Sequence, residues 1–271
     1  MNPADLPDPS QEQAVLRLRG GVATDARDFL ADEVPVALVY NGISHAVMMA
    51  TPQDLEAFAL GFSLTEAIID SPAECYGIDV EAGAAGVAVN VEISTRAFVA
   101  LKERRRSLTG RTGCGLCGVD NLDQVYRNLP LLTRPTPVLR SSVVKALAAL
   151  KGEQPLNRLT GATHAAAWCG SDGALLIVRE DVGRHNALDK VIGAMAGLQE
   201  RDPDGFMLIS SRVSVEMAQK TAMAGVAALV AVSAPTAAAI RLAEGCGMTV
   251  LAFARGEDFV CYANPSGLIL D

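Results

Sequence analysis

The chain has 271 residues, half of them apolar and only 4% aromatic, with a formal net charge of -8. That length holds one large or two modest domains with a full core, and the acidic balance excludes nucleic-acid binding through a general positive field. A phosphate-bearing ligand must therefore be met by a local cluster of donors.

Residues 1–13 are polar and acidic, with three prolines and no apolar core. They read as a flexible tail rather than a signal or transit peptide, which places the mature chain in the cytoplasm. Two strands follow at 36–40 and 45–50 around Asn41-Gly42, a strong hairpin signal. Thr51, Pro52 and Asp54 then open a helix reaching about residue 69: a hydroxyl cap, a proline at the first position and an acid in the first turn. Alternation predicts a strand at 87–93 and helical spacing a helix at 97–107, ending in the basic run Arg104-Arg105-Arg106. Further helices are expected at 121–128 and 141–150, separated by a proline-containing connection at 130–137.

Beyond residue 163 strands and helices alternate: strands at 163–168, 174–179, 206–210, 228–232 and 248–254, with helices from Arg184, Val213 and Pro235. That order predicts a mostly parallel sheet covered on both faces. The division is thus a tail at 1–13, an α+β part at 14–135 and an α/β part at 136–271. The uncharged window 222–240 approaches the length of a membrane span, but Gly225, Ser233, Pro235 and Thr236 break it into a helix end, a buried strand and a new helix start.

Of six cysteines only Cys114 and Cys117 are close in sequence, and four glycines, at 110, 113, 115 and 118, surround them in the loop 107–119. Glycine lets such a backbone swing, as a carrier must when it accepts sulfur in one complex and releases it in another. Sulfur transfer is thiolate chemistry, and Arg111 with the basic run at 104–106 could lower a thiol pKa. The second thiol could then displace the sulfur or close a disulfide. One Cys-x-x-Cys is also half of a zinc site, but no second pair stands at ligand spacing.

Three strand ends in the second part run into small, polar or basic residues where a helix or turn begins: Ser210, Ser211, Arg212 and Ser214; Ser233 to Thr236; and Phe253 to Gly256. Ligands of open α/β sheets sit beyond such ends, where helix N-termini favour phosphate. Arg212 and Arg255 supply charge and the hydroxyls orientation, although any single Ser or Thr there is by default a helix cap. The run 180–190 is denser in polar groups than a cap requires, with Asp181 as candidate cap and His185 as candidate proton donor or ligand contact.

Taken in order, TGCGLCG, EDVGRHNALDKVIG, SSRVSVEMAQKTAMAG, SAPTAAAIRLAEGCGMT and FARG resemble the FdhD family of formate dehydrogenase accessory proteins, over residues 106–256. The resemblance implies a sulfurtransferase that takes sulfur from a cysteine desulfurase. It delivers that sulfur to the molybdenum bis(molybdopterin guanine dinucleotide) cofactor of formate dehydrogenase, with GDP or GMP as analogues. It puts the persulfide on Cys114 with Cys117 as partner. It assigns cofactor contact to Phe253, Ala254, Arg255, Gly256, Glu257 and Asp258, and the nucleotide pocket to the edge formed by Ser210, Ser211, Arg212, Ser214, Thr236 and His185. It further implies a homodimer and a three-layer core similar to the cytidine deaminases. Deamination itself is excluded, because Ala166 stands where a working deaminase needs Glu after His164, and the only Cys-x-x-Cys precedes that position. The alternative is a non-catalytic chaperone that shelters the molybdenum cofactor, its cysteine pair packed or metal-bound.

Overall fold

In the computed structural model, which describes residues 6–109, 129–133 and 136–271, Asn41 and Gly42 both take positive φ, 44° and 82°. Those angles suit the two-residue turn that joins β3 (Val34–Tyr40) to β4 (Ile43–Ala50). The Asn41 side chain also exchanges two hydrogen bonds with the backbone of Ile93, tying the turn to the end of β6 (Gly86–Ile93). With β5 (Cys75–Gly83) these strands make a four-stranded sheet ordered β4-β3-β6-β5. Alternate residues Val36, Leu38, Tyr40, Val87, Val89 and Val91 bury one face under α1 (Leu55–Thr65).

The helix α1 is shorter than expected from the sequence. Thr51 does not cap it: the Thr51 hydroxyl accepts from the N–H of Val182, and the cap position is Asp54, with φ 54°. A contact 131 residues away has taken the hydroxyl that local spacing assigned to the cap. The helix α2 (Thr95–Thr109) follows β6 as expected. The expected helix at 121–128 and the cysteine loop lie outside the described residues.

The tail ends earlier than expected. Ser10–Arg19 (β1) and Val22–Ala31 (β2) form a two-stranded ribbon turned at Gly20 and Gly21, and it rests on α4 (Pro155–Thr160). Its side chains are nearly all exposed, so no apolar alternation marked it in the sequence.

The second part holds a six-stranded sheet ordered β13-β12-β11-β10-β8-β9. Its strands are β8 (His164–Cys169), β9 (Leu175–Asp181), β10 (Phe206–Ile209), β11 (Ala228–Ala231), β12 (Thr249–Arg255) and β13 (Asp258–Ala263). Only β10, β11 and β12 are parallel, so the expectation of a mostly parallel sheet is corrected to a mixed one. The cause is two hairpins, β8–β9 and β12–β13, whose short turns cannot make the long crossover that parallel neighbours need. One face packs on α5 (Arg184–Ala196), α6 (Val215–Met223) and α7 (Ala237–Cys246). The other packs on α3 (Arg140–Leu150) and the strand β7 (Val138–Leu139), which pairs with β14 (Leu268–Ile269).

The two parts meet where α1 crosses α5. A Cβ on Gly61 would fall 1.8 Å from the Asp189 carbonyl oxygen, and one on Gly193 would fall 1.9 Å from that of Ala57. Glycine at both positions lets the backbones touch. Among the described residues no helix is long and apolar enough to cross a membrane.

Candidate functional site

The carboxyl ends of β10, β11 and β12 lie side by side, and the sequence-predicted cluster assembles there. After β10 the chain is stitched to the turn after β11: the N–H of Val213 donates to Ala234 O, and the N–H of Thr236 to Val213 O. Arg255, at the end of β12, donates from Nε to the Val232 carbonyl at 3.4 Å. Arg212, Ser214, Thr236 and Arg255 thus share one edge, with the Arg212 and Arg255 side chains exposed.

Several of these groups already have structural work. Ser214 accepts from the N–H of Met217 and caps α6; Thr236 accepts from the N–H of Ala239 and caps α7. The Ser210 hydroxyl accepts from the N–H of Ala165 at 2.8 Å, fixing the start of β8 beside the end of β10. Ser211 is buried and donates to Arg212 O. Each hydroxyl acting as an acceptor keeps its proton for a ligand.

The stretch Phe253 to Asp258 is the tip of the β12–β13 hairpin, irregular between Ala252 and Arg255. Phe253 has φ 53° and is 42% exposed, its ring tilted against Tyr262; Gly256 has φ 61°. Ala254 points the other way, fully buried in the core under α3, so its side chain cannot meet a ligand. Glu257 pairs with Arg140 at 2.8 Å, and the Asp258 side chain is exposed.

The polar run at 180–190 divides into two sets. Asp181, Asn186, Asp189 and Lys190 are buried; they bond to Met49, Thr51 and Thr65 of the first part and to one another, Gly183 and Lys220 within the second, a structural role. The cap position of α5 is Gly183, not Asp181, whose carboxylate accepts instead from Gly183, Asn186 and Thr51. His185 faces the edge, with Nε2 2.9 Å from Glu216 Oε2. Burial, then the charge of Arg184, holds its pKa below the ordinary imidazole value. Two residues not singled out from the sequence, His164 and Arg184, complete this corner. The motif that the sequence offered for His164 concerned deamination, and Arg184 was masked by its charged neighbours.

Cys114 and Cys117 lie outside the described residues. The thiols of Cys75, Cys169, Cys246 and Cys261 are all pushed up in pKa by burial, so none is a thiolate at neutral pH. Among the described residues no three His, Cys, Asp or Glu side chains are grouped to hold a metal ion. A cavity of about 490 Å³ opens at the opposite end of the sheet, beside Trp168, Arg201 and Gly225, and includes none of the predicted site residues.

Comparison with known proteins adds a family. A model described as the FdhD/NarQ family matches residues 31–269. A sulfur carrier protein FdhD of Bordetella petrii is 52% identical over 262 residues, covering 96% of this chain and 94% of its own. One of Cupriavidus necator is 53% identical over 256 residues, covering 94% and 88%. The crystal structure of a putative formate dehydrogenase accessory protein from Desulfotalea psychrophila superposes with a TM-score of 0.76 at 22% identity, over 96% of this chain and 99% of that one.

Proposed function

We propose, because this chain belongs to the FdhD/NarQ family, that it is a sulfur carrier serving formate dehydrogenase maturation, with Cys114 as the carrying thiol. The observation that carries the assignment to the loop is the state of the other thiols. Four of the six cysteines are held as protonated, partly or fully buried side chains, which leaves the glycine-flanked pair for thiolate chemistry.

In the first step the Cys114 thiolate attacks the outer sulfur of a desulfurase persulfide. A new S–S bond forms on Cys114, the donor's S–S bond breaks, and the donor cysteine leaves as a thiolate. In the second, the Cys117 thiolate attacks the inner Cys114 sulfur and expels the outer sulfur as hydrosulfide. The sulfane sulfur gains two electrons and the cysteine pair becomes a disulfide, which a cellular thiol reductant returns to two thiols.

The acceptor of that sulfur is the molybdenum bis(molybdopterin guanine dinucleotide) cofactor, treated as substrate. The strand-end edge supports a place for one of its guanine nucleotides: two exposed arginines, capping hydroxyls with protons to donate, and the exposed Phe253 ring beside them. The strand order, with helices on both faces, supports a core of the cytidine-deaminase type. We assign the protein to the cytoplasm as a homodimer, meeting a cysteine desulfurase and formate dehydrogenase in turn.

Intact mass spectrometry after incubation with a cysteine desulfurase and cysteine tests the carrier. One added sulfur atom on wild type, removable by reductant and lost in Cys114→Ala, is the expected result. No adduct on wild type would rule out a sulfur carrier and favour a chaperone that only shelters the cofactor.

A further inference from the structure

The ribbon of β1 and β2 is longer and barer than a two-stranded element sustains alone, since an isolated pair of strands is marginal in water. Each strand has ten residues, paired from Ser10↔Ala31 to Arg19↔Val22 without a bulge. Along its middle only Val15, Arg17 and Ala26 are half-buried, and the register puts all three on one face. On the other face Leu16 and Leu18 are 63% and 68% exposed.

The outer edge of β2 is open as well. The two-residue turn at Gly20 and Gly21 closes on the pair Arg19 and Val22, so the even-numbered residues of β2 bond to β1. The odd-numbered ones, Ala23, Asp25, Arg27 and Phe29, therefore turn their N–H and C=O groups outward. In keeping with this, the N–H of Phe29 donates to the Asp28 side chain at 3.0 Å. Among the described residues no backbone bond joins this edge to another element. Proteins blunt an exposed edge with proline, lysine or a bulge, and β2 has none of these.

We propose that this edge is the contact between two copies of the chain: β2 pairs antiparallel with the partner's β2 about a two-fold axis at Ala26, making one four-stranded sheet. The proposal rests on the homodimer assigned above and names its contact. A two-fold pairing centred on Ala26 sets Asp25 opposite the partner's Arg27, Val22 opposite the partner's Leu30 and Ala23 opposite the partner's Phe29, each twice. Centring it one residue to either side would set Asp25 against Asp25 or Arg27 against Arg27. Because Arg27 already bonds Glu12 across its own ribbon, the charges would alternate along the row Glu12, Arg27 and the partner's Asp25. The ribbon is also neutral, with Glu12, Asp25 and Asp28 balanced by Arg17, Arg19 and Arg27, whereas the whole chain carries -8. Two acidic copies thus meet where neither brings net charge.

Disulfide trapping in the full-length protein tests the register. In a two-fold pairing the Ala26 positions form a non-hydrogen-bonded pair with Cα atoms about 4.5 Å apart, within disulfide range. Ala26→Cys is expected to link two copies through residue 26 on mild oxidation, identified by peptide mapping. Ala23→Cys, whose counterpart across the contact is Phe29, is expected not to link. Sedimentation gives a second reading: Asp25→Arg sets like charges opposite each other twice and should weaken the dimer about tenfold or more.

A wild-type dimer whose Ala26→Cys copies do not link, or link no better than Ala23→Cys copies, overturns the edge pairing and leaves the homodimer to another surface. An Asp25→Arg dimer as tight as wild type does the same. Wild type sedimenting as a monomer at all concentrations overturns the edge pairing and the homodimer together.

Discussion

Lys190 on α5 lies 2.7 Å from Asp181 at the end of β9, with neither side chain exposed, and both bond the backbone of Thr51. Lys190 donates to the Thr51 carbonyl while Asp181 accepts from its N–H, so one ion pair clamps the segment between β4 and α1 against the second part of the chain. Burial lowers the Lys190 pKa, against the pull of Asp181. Removing one partner leaves a buried charge uncompensated, so Lys190→Met should cost about 3–5 kcal/mol. The double variant Lys190→Met with Asp181→Asn should cost less than the sum of the two single ones. Urea unfolding followed on both parts measures it; additive costs would mean that the pair is not coupled.

This clamp also marks what the sequence could not disclose. The acids and amide of the run 180–190 looked like a functional surface because their partners, Met49, Thr51 and Thr65, stand more than 120 residues away. No local pattern encodes such a pairing. Strand positions from 163 onward were legible because buried apolar runs and flanking helix caps are local signals. Ser214 and Thr236 do cap the helices that follow them. The sheet directions were misread as mostly parallel, although the 170–174 connection between β8 and β9 is too short for a parallel crossover. The edge itself was visible as three strand ends running into small, polar or basic residues.

Two Gly→Ala substitutions, one at the crossing of α1 and α5 and one on the open face of α7, should have opposite outcomes. Gly61→Ala places a methyl 1.8 Å from the Asp189 carbonyl oxygen, and neither backbone can yield without parting the helices. A loss of about 3 kcal/mol or more is expected, at the upper end of overpacking. Gly245 lies near the end of α7 with nothing within 4 Å of the site of its Cβ. Gly245→Ala should therefore raise stability by roughly 0.5–1 kcal/mol through helix propensity. Paired melting curves check both signs; a harmless Gly61→Ala would show that the crossing is looser than described.

Glu74 sets part of the acid limb of stability. Bonds from the Asp70 N–H, the Ser94 hydroxyl and Arg96 lower its pKa from 4.5 to about 2. A carboxyl whose folded pKa is depressed contributes stability that is complete above the unfolded value and is lost as pH falls through the folded one. That contribution should fade between pH 4.5 and about pH 2. Glu74→Gln should melt lower than wild type at pH 7 and lose less on acidification across that window. Parallel melting curves of the two proteins would contradict this.

The strand-end edge makes a prediction that depends on neither the cysteine loop nor the chemistry of sulfur. A ligand that binds only the folded protein stabilises it by mass action, by about 2.7 kcal/mol at a hundredfold excess over its Kd. GDP should therefore raise the melting temperature by several degrees, and GMP by less because it lacks the second phosphate. Arg212 is exposed and lies outside the buried networks, so Arg212→Gln should leave the ligand-free melting temperature unchanged. What it removes is a charge-assisted contact worth about 1.5–3 kcal/mol, which lowers GDP affinity at least tenfold. Adenosine diphosphate separates base from phosphate: equal shifts with both nucleotides would mean that the edge reads only the anion. A shift with GDP alone, lost in Arg212→Gln and retained in Cys114→Ala, would establish that nucleotide binding needs Arg212 and does not need Cys114.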